Sequence, residues 1–313
     1  MEILDWKSVG PLVPLYRELK SLDVLNHIAE LEMFGFTVVP PEKVGPPDYH
    51  QKMKAALEAV IEARFGKPDA NGLSWQERNH IFRLILWEDP VFEELLMNPV
   101  GLGLVQYLIG CNCILSLFDG WVKGPGQART AIHQDNWDFS RQSNAAEPNS
   151  ANINYLLTDY DQGAGAISFV PGSHRWRHPP SPSDIKYWTD RAHPIKAKAG
   201  SMIVWGDLTW HGSMPRENLG ERLMILSTFN RPFMQTQEPF RTTVTEAALK
   251  RNPIRFAGLM DTYGVFPFGK EDRDNRRLAA NINNPMSQKA VYRSLFDTEP
   301  AGDQVSLRPD MVV

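Results

Sequence analysis

Between about residues 111 and 232 the chain is a succession of short runs with a period of two, and this constrains the fold more than any other feature. The runs "CILSLFDGWVKG", "TAIHQDNWDF", "SANINYLLTDY", "GAISFVPGS", "HPIKAKAG", "SMIVWGDLTWHG" and "RLMILSTFNRP" are each of strand length and are parted by Gly, Pro, Asn and Asp. Alternation gives a strand one apolar face, and the turns between these runs leave no room for helices. Strands in close succession must then bury their apolar faces against one another, as a sandwich or a barrel.

The first hundred residues read differently, mainly as helix. "DVLNHIAELEMFGFTVVP" has helical spacing up to a Phe-Gly break, then a short β-branched run ending at Pro40. "DYHQKMKAALEAVIEARFG" is an amphipathic helix closed by Gly66, and "DPVFEELLMNP" is a shorter one bounded by prolines. After Pro232, "TEAALKRNPIRFAGLMDTYG" reads as helical covering followed by a polar tail. No repeat, linker or composition break divides the 313 residues. The expected organisation is one catalytic domain over 1–313, with helical support over 1–110, a β core over 111–232 and a helical and loop extension over 233–313.

A hydrophobic content of 42% suffices for a core, and a net charge of −4 without a basic block argues against a nucleic-acid partner. A small-molecule substrate fits better. No apolar run has the length of a membrane span, and "MEILDWKSVG" lacks the layout of a signal peptide, so the expected location is cytoplasmic with no membrane partner. Oligomeric state is left open, and a homo-oligomer is compatible with the sequence. Cys111 and Cys113, the only cysteines, lie two apart on a strand-like run and read as buried, reduced thiols.

Chemistry first surfaces in "AIHQDNWDFS". On a strand His133 and Asp135 share one face, with Gln134 and Asn136 on the other, which suits two ligands to one metal. A third donor is available in His211, at the end of a β run that is followed by a turn and by a second run beginning at Arg222. Two antiparallel neighbours joined by that turn would bring His211 and Arg222 side by side. Two imidazoles and a carboxylate form the facial triad of non-haem Fe(II) oxygenases, although zinc accepts the same set. Arg222 distinguishes the two. Pointing into a barrel it would be a costly unpaired charge unless a carboxylate met it, and a dicarboxylate co-substrate chelating iron would provide one. Capping the turn "RENLGER", or pairing with Glu217 or Glu221, is the alternative role for this arginine.

These residues resemble the phytanoyl-CoA dioxygenase family of Fe(II)- and 2-oxoglutarate-dependent oxygenases. The likeness rests on "HQD" at 133–135, "GAISFVPGSHR" at 165–175, "AGSMIVWGDLTWHGS" followed by Arg222, and "HIAELEMFGFTVVP" near the N-terminus. It extends over roughly residues 25 to 232. The resemblance implies a mainly β fold with flanking helices, built on a double-stranded β-helix (a jelly-roll, cupin-like core). His133, Asp135 and His211 would hold Fe(II), Arg222 would grip 2-oxoglutarate, and O2 would be the second co-substrate. Further co-substrate contacts are implied for Gln134, Ser213 and Lys123. Halogenating relatives carry a small residue in place of the carboxylate; Asp135 is present here, which favours hydroxylation or another oxygen-derived oxidation such as desaturation or ring formation.

Aromatic residues crowd the expected mouth: Trp121, Trp137 and Phe139 around the HQD run, Tyr155 on the next, and Trp205 and Trp210 before His211. Trp137, Phe139 and Tyr155 are expected to line an apolar substrate pocket, with Arg141 for an anionic substrate group. Asn152 and Asn154 share a face and are expected to bond co-substrate or substrate. The expected activity is oxidation of an unactivated C–H bond of a small lipophilic molecule, such as a secondary metabolite, with release of succinate and CO2. A cupin-like metalloenzyme without 2-oxoglutarate and a non-catalytic binding barrel are the alternatives.

Overall fold

The computed structural model describes residues 13–66, 79–136 and 144–262. The helical N-terminal part contains α1 (Val13–Ser21), α2 (Leu25–Phe34), α3 (Pro41–Val44), α4 (Tyr49–Phe65), α5 (Pro90–Leu96) and α6 (Pro99–Ile109). Their ends follow local chemistry. Asp89 and Asn98 cap α5 and α6 through their side chains, each with proline at the first helical position. Gly35 closes α2 in the left-handed region at φ +85°. Two short strands, β1 (Phe36–Val39) and β2 (Asn79–Phe82), interrupt this part; β1 matches the β-branched run, whereas β2 was not expected.

The β core consists of β3 (Ile114–Lys123), β4 (Thr130–His133), β5 (Ser150–Leu156), β6 (Ile167–Phe169), β7 (His193–Pro194), β8 (Met202–Gly206), β9 (His211–Ser213) and β10 (Arg222–Asn230). A seventh helix, α7 (Pro182–Trp188), lies between β6 and β7. The strands form two sheets, β1-β8-β5-β10-β3-β2 and β4-β9-β6-β7. Every recorded pairing is antiparallel. The expected jelly-roll core is therefore present. Short helices α8 (Phe240–Thr243), α9 (Glu246–Arg251) and α10 (Ile254–Leu259) follow, in agreement with the helical covering read from the sequence.

Period two divides the core between the faces of the larger sheet. Phe118, Val122, Leu223, Ile225, Ile153 and Val204 point outward and pack with Leu57, Leu102 and other helical residues. Leu156, Met224, Ile203 and Trp205 point inward against Ile167 and Phe169 of the smaller sheet. Phe36 on β1 stacks on Phe169 with ring centroids 4.2 Å apart, so the N-terminal segment closes this inner core.

Two expectations are corrected. The strands carrying His211 and Arg222 are not neighbours: β9 pairs with β4 and β6 in the smaller sheet, whereas β10 pairs with β3 and β5 in the larger. The turn between them crosses from one sheet to the other. Cys111 and Cys113 are free thiols as expected, but they lie in the turn before β3 rather than on a strand, and burial pushes Cys113 up to about 12. Among the described residues no helix is long and apolar enough to cross a membrane.

Gly212 shows how tightly β9 meets β4. A Cβ there would lie 2.5 Å from the Thr130 carbonyl oxygen and 3.2 Å from that of Ala131. Gly212→Ala must push the two strands apart, and is expected to cost about 1–3 kcal/mol of stability. A urea midpoint unchanged from wild type would contradict this.

Candidate active site

His133 and His211 are Cα partners across β4 and β9, which brings their rings together with centroids 4.4 Å apart and planes inclined at 51°. Asp135 is not on the strand as expected; it sits in a bend two residues past His133, where its N–H donates to the Asp207 carbonyl at 3.0 Å. Its carboxylate nevertheless reaches both rings, with Oδ1 3.7 Å from His133 Nε2 and Oδ2 3.4 Å from His211 Nε2. One donor atom from each of the three residues lies within 4.8 Å of the other two.

Both rings are set up for the same task. His133 Nδ1 bonds the Ala131 carbonyl at 2.9 Å and His211 Nδ1 that of Thr209 at 3.0 Å. A carbonyl only accepts, so each Nδ1 carries the proton and each Nε2 is left with a lone pair facing the carboxylate. Burial pushes the His211 pKa down, against the opposing pull of Asp135, and so favours the neutral ring that a metal needs. The Thr209 hydroxyl in turn donates to Gly35 O at 2.8 Å, which ties the loop before His211 to the α2–β1 turn.

Asp135 Oδ2 accepts from Asn152 Nδ2 at 2.8 Å and from Trp205 Nε1 at 3.4 Å. Asn152 therefore holds the Asp135 carboxylate. Alternation along β5 puts Asn152 on the inner face, but its contact with Asp135 arises from tertiary packing.

Deeper in the barrel lies a second cluster. Arg222 and Lys123 are Cα partners across β10 and β3, 5% and 2% exposed. Lys123 Nζ donates to Ser213 Oγ at 2.9 Å and to the Met214 carbonyl at 2.8 Å. Arg222 donates through Nη1 to the Gly165 carbonyl, lies over the Tyr160 ring at 5.0 Å, and has a buried Nε without a partner among the described residues. Among those residues no carboxylate pairs with either cation. The turn is capped by Arg216, which donates to the carbonyls of Gly220, Ala164 and Leu219. Two adjacent buried cations with no carboxylate partner among the described residues favour a bound anion.

That deficit has a measurable consequence. Burial, then Arg222 and Arg216, hold the Lys123 ammonium down to about 8 from a usual 10.5. Between these values the unfolded chain binds more protons than the folded one, so this group adds stability as pH rises through the window from about 8 to 10.5. Without co-substrate, the thermal midpoint of wild type relative to Lys123→Met is expected to rise across that window. A constant difference would contradict the assignment.

Other expected residues are placed elsewhere. Gln134 lies just past the end of β4, and its amide is paired with the Asn144 amide at 3.1 and 2.9 Å. Tyr155 points outward, packed edge-on against Tyr49 at 5.9 Å, because the inner positions of β5 are Asn152, Asn154 and Leu156; it does not line the site. Trp210 belongs to a separate cluster with Ile132 and Val170, whereas Trp205 packs on His211 at 5.3 Å. Trp121 faces inward with a buried indole N–H that has no partner among the described residues. Trp137, Phe139 and Arg141 lie outside the described residues. A cavity of about 600 Å³ lies between the ends of α2 and α6 and the residues before β5, and no triad residue lines it.

Comparison with known proteins agrees with this architecture. The family model for phytanoyl-CoA dioxygenase (PhyH) matches residues 31–224. The chain is 26% identical over 149 residues to dioxygenase af480 of Aspergillus fumigatus, a match covering 47% of each chain. It is 29% identical over 164 residues to dioxygenase cdmD of Talaromyces verruculosus, covering 49% of this chain and 48% of that one. The chain spans about half the length of these relatives. In fold it is similar to HygX from Streptomyces hygroscopicus, whose crystal structure holds nickel and 2-oxoglutarate, with a TM-score of 0.55, 16% identity, and coverage of 68% of this chain and 88% of that one.

Proposed function

Because the chain belongs to the phytanoyl-CoA dioxygenase family, we propose that it is an Fe(II)- and 2-oxoglutarate-dependent dioxygenase that hydroxylates a C–H bond of a small lipophilic substrate, releasing succinate and CO2. In this reading the chain is a single catalytic domain. The observation that carries it is the pairing of two sites in one barrel: three donor atoms within 4.8 Å, and beyond them two buried cations with no carboxylate partner among the described residues.

The donor set suits iron. Two neutral imidazoles and one carboxylate on one side of an ion leave the other side free, the arrangement of the facial-triad oxygenases. Bound iron, with 2-oxoglutarate and O2, would supply the oxidative decarboxylation and the C–H oxidation. The protein's own part is to bind and orient. His133, Asp135 and His211 hold the metal. Arg222 and Lys123, with the Ser213 hydroxyl, take the distal carboxylate of the co-substrate, the fork of Arg222 matching its two oxygens. Leu156, Met224 and Tyr160 make the intervening wall apolar and keep water from the co-substrate chain. Trp121 and Trp205, inward-facing and large, favour a lipophilic substrate.

Purified protein given Fe(II), ascorbate and 2-oxoglutarate is expected to release succinate, slowly without substrate and faster with a suitable lipophilic one. Absence of succinate, from protein shown to have bound metal, would contradict the proposal.

A further inference from the structure

We propose that Asn152, locked by Thr228, is a positioning residue that makes Asp135 a one-oxygen ligand; the inference rests on the metal-binding reading above and deepens it. Asp135 lies beyond the end of β4, so no sheet pairing fixes its side chain. What orients the carboxylate is the pair of donors on Oδ2, Asn152 Nδ2 at 2.8 Å and Trp205 Nε1 at 3.4 Å. Oδ1 accepts no hydrogen bond from the described residues, and stands 3.7 Å from His133 Nε2. One oxygen is thus engaged by the protein, and the other, with no donor among the described residues, is available to a metal.

The device depends on which end of the Asn152 amide faces Asp135. Presented with its carbonyl, the amide would set acceptor against acceptor. The acceptor-only carboxylate selects the NH2 end, and the Thr228 hydroxyl, which donates to Asn152 Oδ1 at 2.6 Å, holds the other end of the amide in place. The register explains the contact, since Asn152 and Thr228 are Cα partners across β5 and β10, and Trp205 is the partner of Asn152 on β8. Three adjacent strands therefore set the orientation of one carboxylate. Asn152 and Thr228 are both buried, so these bonds act in a low-dielectric setting where they are strong and where loss of one end is costly. With Oδ2 held, Asp135 cannot swing to chelate through both oxygens, and the positions that co-substrate and O2 need stay open.

The test measures binding of Mn(II), an air-stable probe suited to nitrogen and oxygen donors, by calorimetry on the full chain without co-substrate, with circular dichroism and thermal midpoints as controls for folding. Asn152→Ala is expected to weaken Mn(II) binding by about 10- to 100-fold, the range typical of lost outer partners of metal ligands. Thr228→Val, nearly isosteric, is expected to weaken it by less, and Thr228→Ser to keep wild-type affinity. In the Asn152→Ala background, Thr228→Val is expected to add nothing, because the two residues act as one unit. The proposal is overturned if Asn152→Ala binds within twofold of wild type, if Thr228→Ser is as damaging as Thr228→Val, or if the two losses add in full. Mn(II) binding and succinate release by wild type uphold the dioxygenase reading whichever way the variants fall; a wild type that binds no metal overturns both.

Discussion

His211→Ala is expected to abolish 2-oxoglutarate turnover and to lower metal affinity by more than about 100-fold, beyond the range seen when only an outer partner is lost. The ring supplies one of three donors, and nothing among the described residues can replace it. The nearest groups on that side are Phe169, 5.8 Å away between centroids, and Trp205, neither of them able to ligate. The fold should survive, because β9 is held by backbone pairing with β4 and β6 rather than by the imidazole. Calorimetry with Mn(II), together with succinate assays and a thermal midpoint, separates loss of the site from loss of the structure. Full turnover in this variant would remove His211 from the metal centre.

Arg222→Met is expected to raise the KM for 2-oxoglutarate by roughly 30-fold or more, while leaving Mn(II) affinity without co-substrate unchanged. Truncating one partner of a buried charge pair costs about 2–5 kcal/mol. The free protein behaves differently. A buried guanidinium without a carboxylate destabilises it, so the variant is expected to melt no lower than wild type in the absence of co-substrate. Added 2-oxoglutarate should raise the melting point of wild type far more than that of the variant, since stabilisation by a ligand follows its affinity. Arg222→Lys should recover only part of the loss, because an ammonium cannot form the two-pronged contact. A KM unmoved by either substitution would show that the co-substrate is held elsewhere.

Much of this site was legible before any coordinates, and the exceptions have physical causes. The family resemblance marked Lys123, Arg222 was expected to point into the barrel, period two put Asn152 and Asn154 on one face, and a histidine closing a β run in the sequence marked His211. The same alternation, applied from Asn152, turns Tyr155 outward; its ring looked like a pocket residue only because aromatic composition was given more weight than register. Sheet membership was harder to read. A turn rich in Asn and Gly between two β runs resembles a hairpin, yet "PRENLGE" carries the chain from one sheet to the other. Periodicity reports which way a side chain faces, not which strand lies alongside. Contacts between distant segments left no local trace either: the Gln134–Asn144 amide pair, the Asp207 carbonyl under Asp135 and the Thr228 hydroxyl behind Asn152 all depend on tertiary packing.

Anomalous diffraction from crystals grown with Mn(II) and 2-oxoglutarate would test the central claim most directly. The expected result is a single metal peak bonded to Nε2 of His133, Nε2 of His211 and one oxygen of Asp135, with the far carboxylate of 2-oxoglutarate against Arg222 and Lys123. A metal peak away from these three residues, or a co-substrate whose far carboxylate does not meet Arg222, would contradict it.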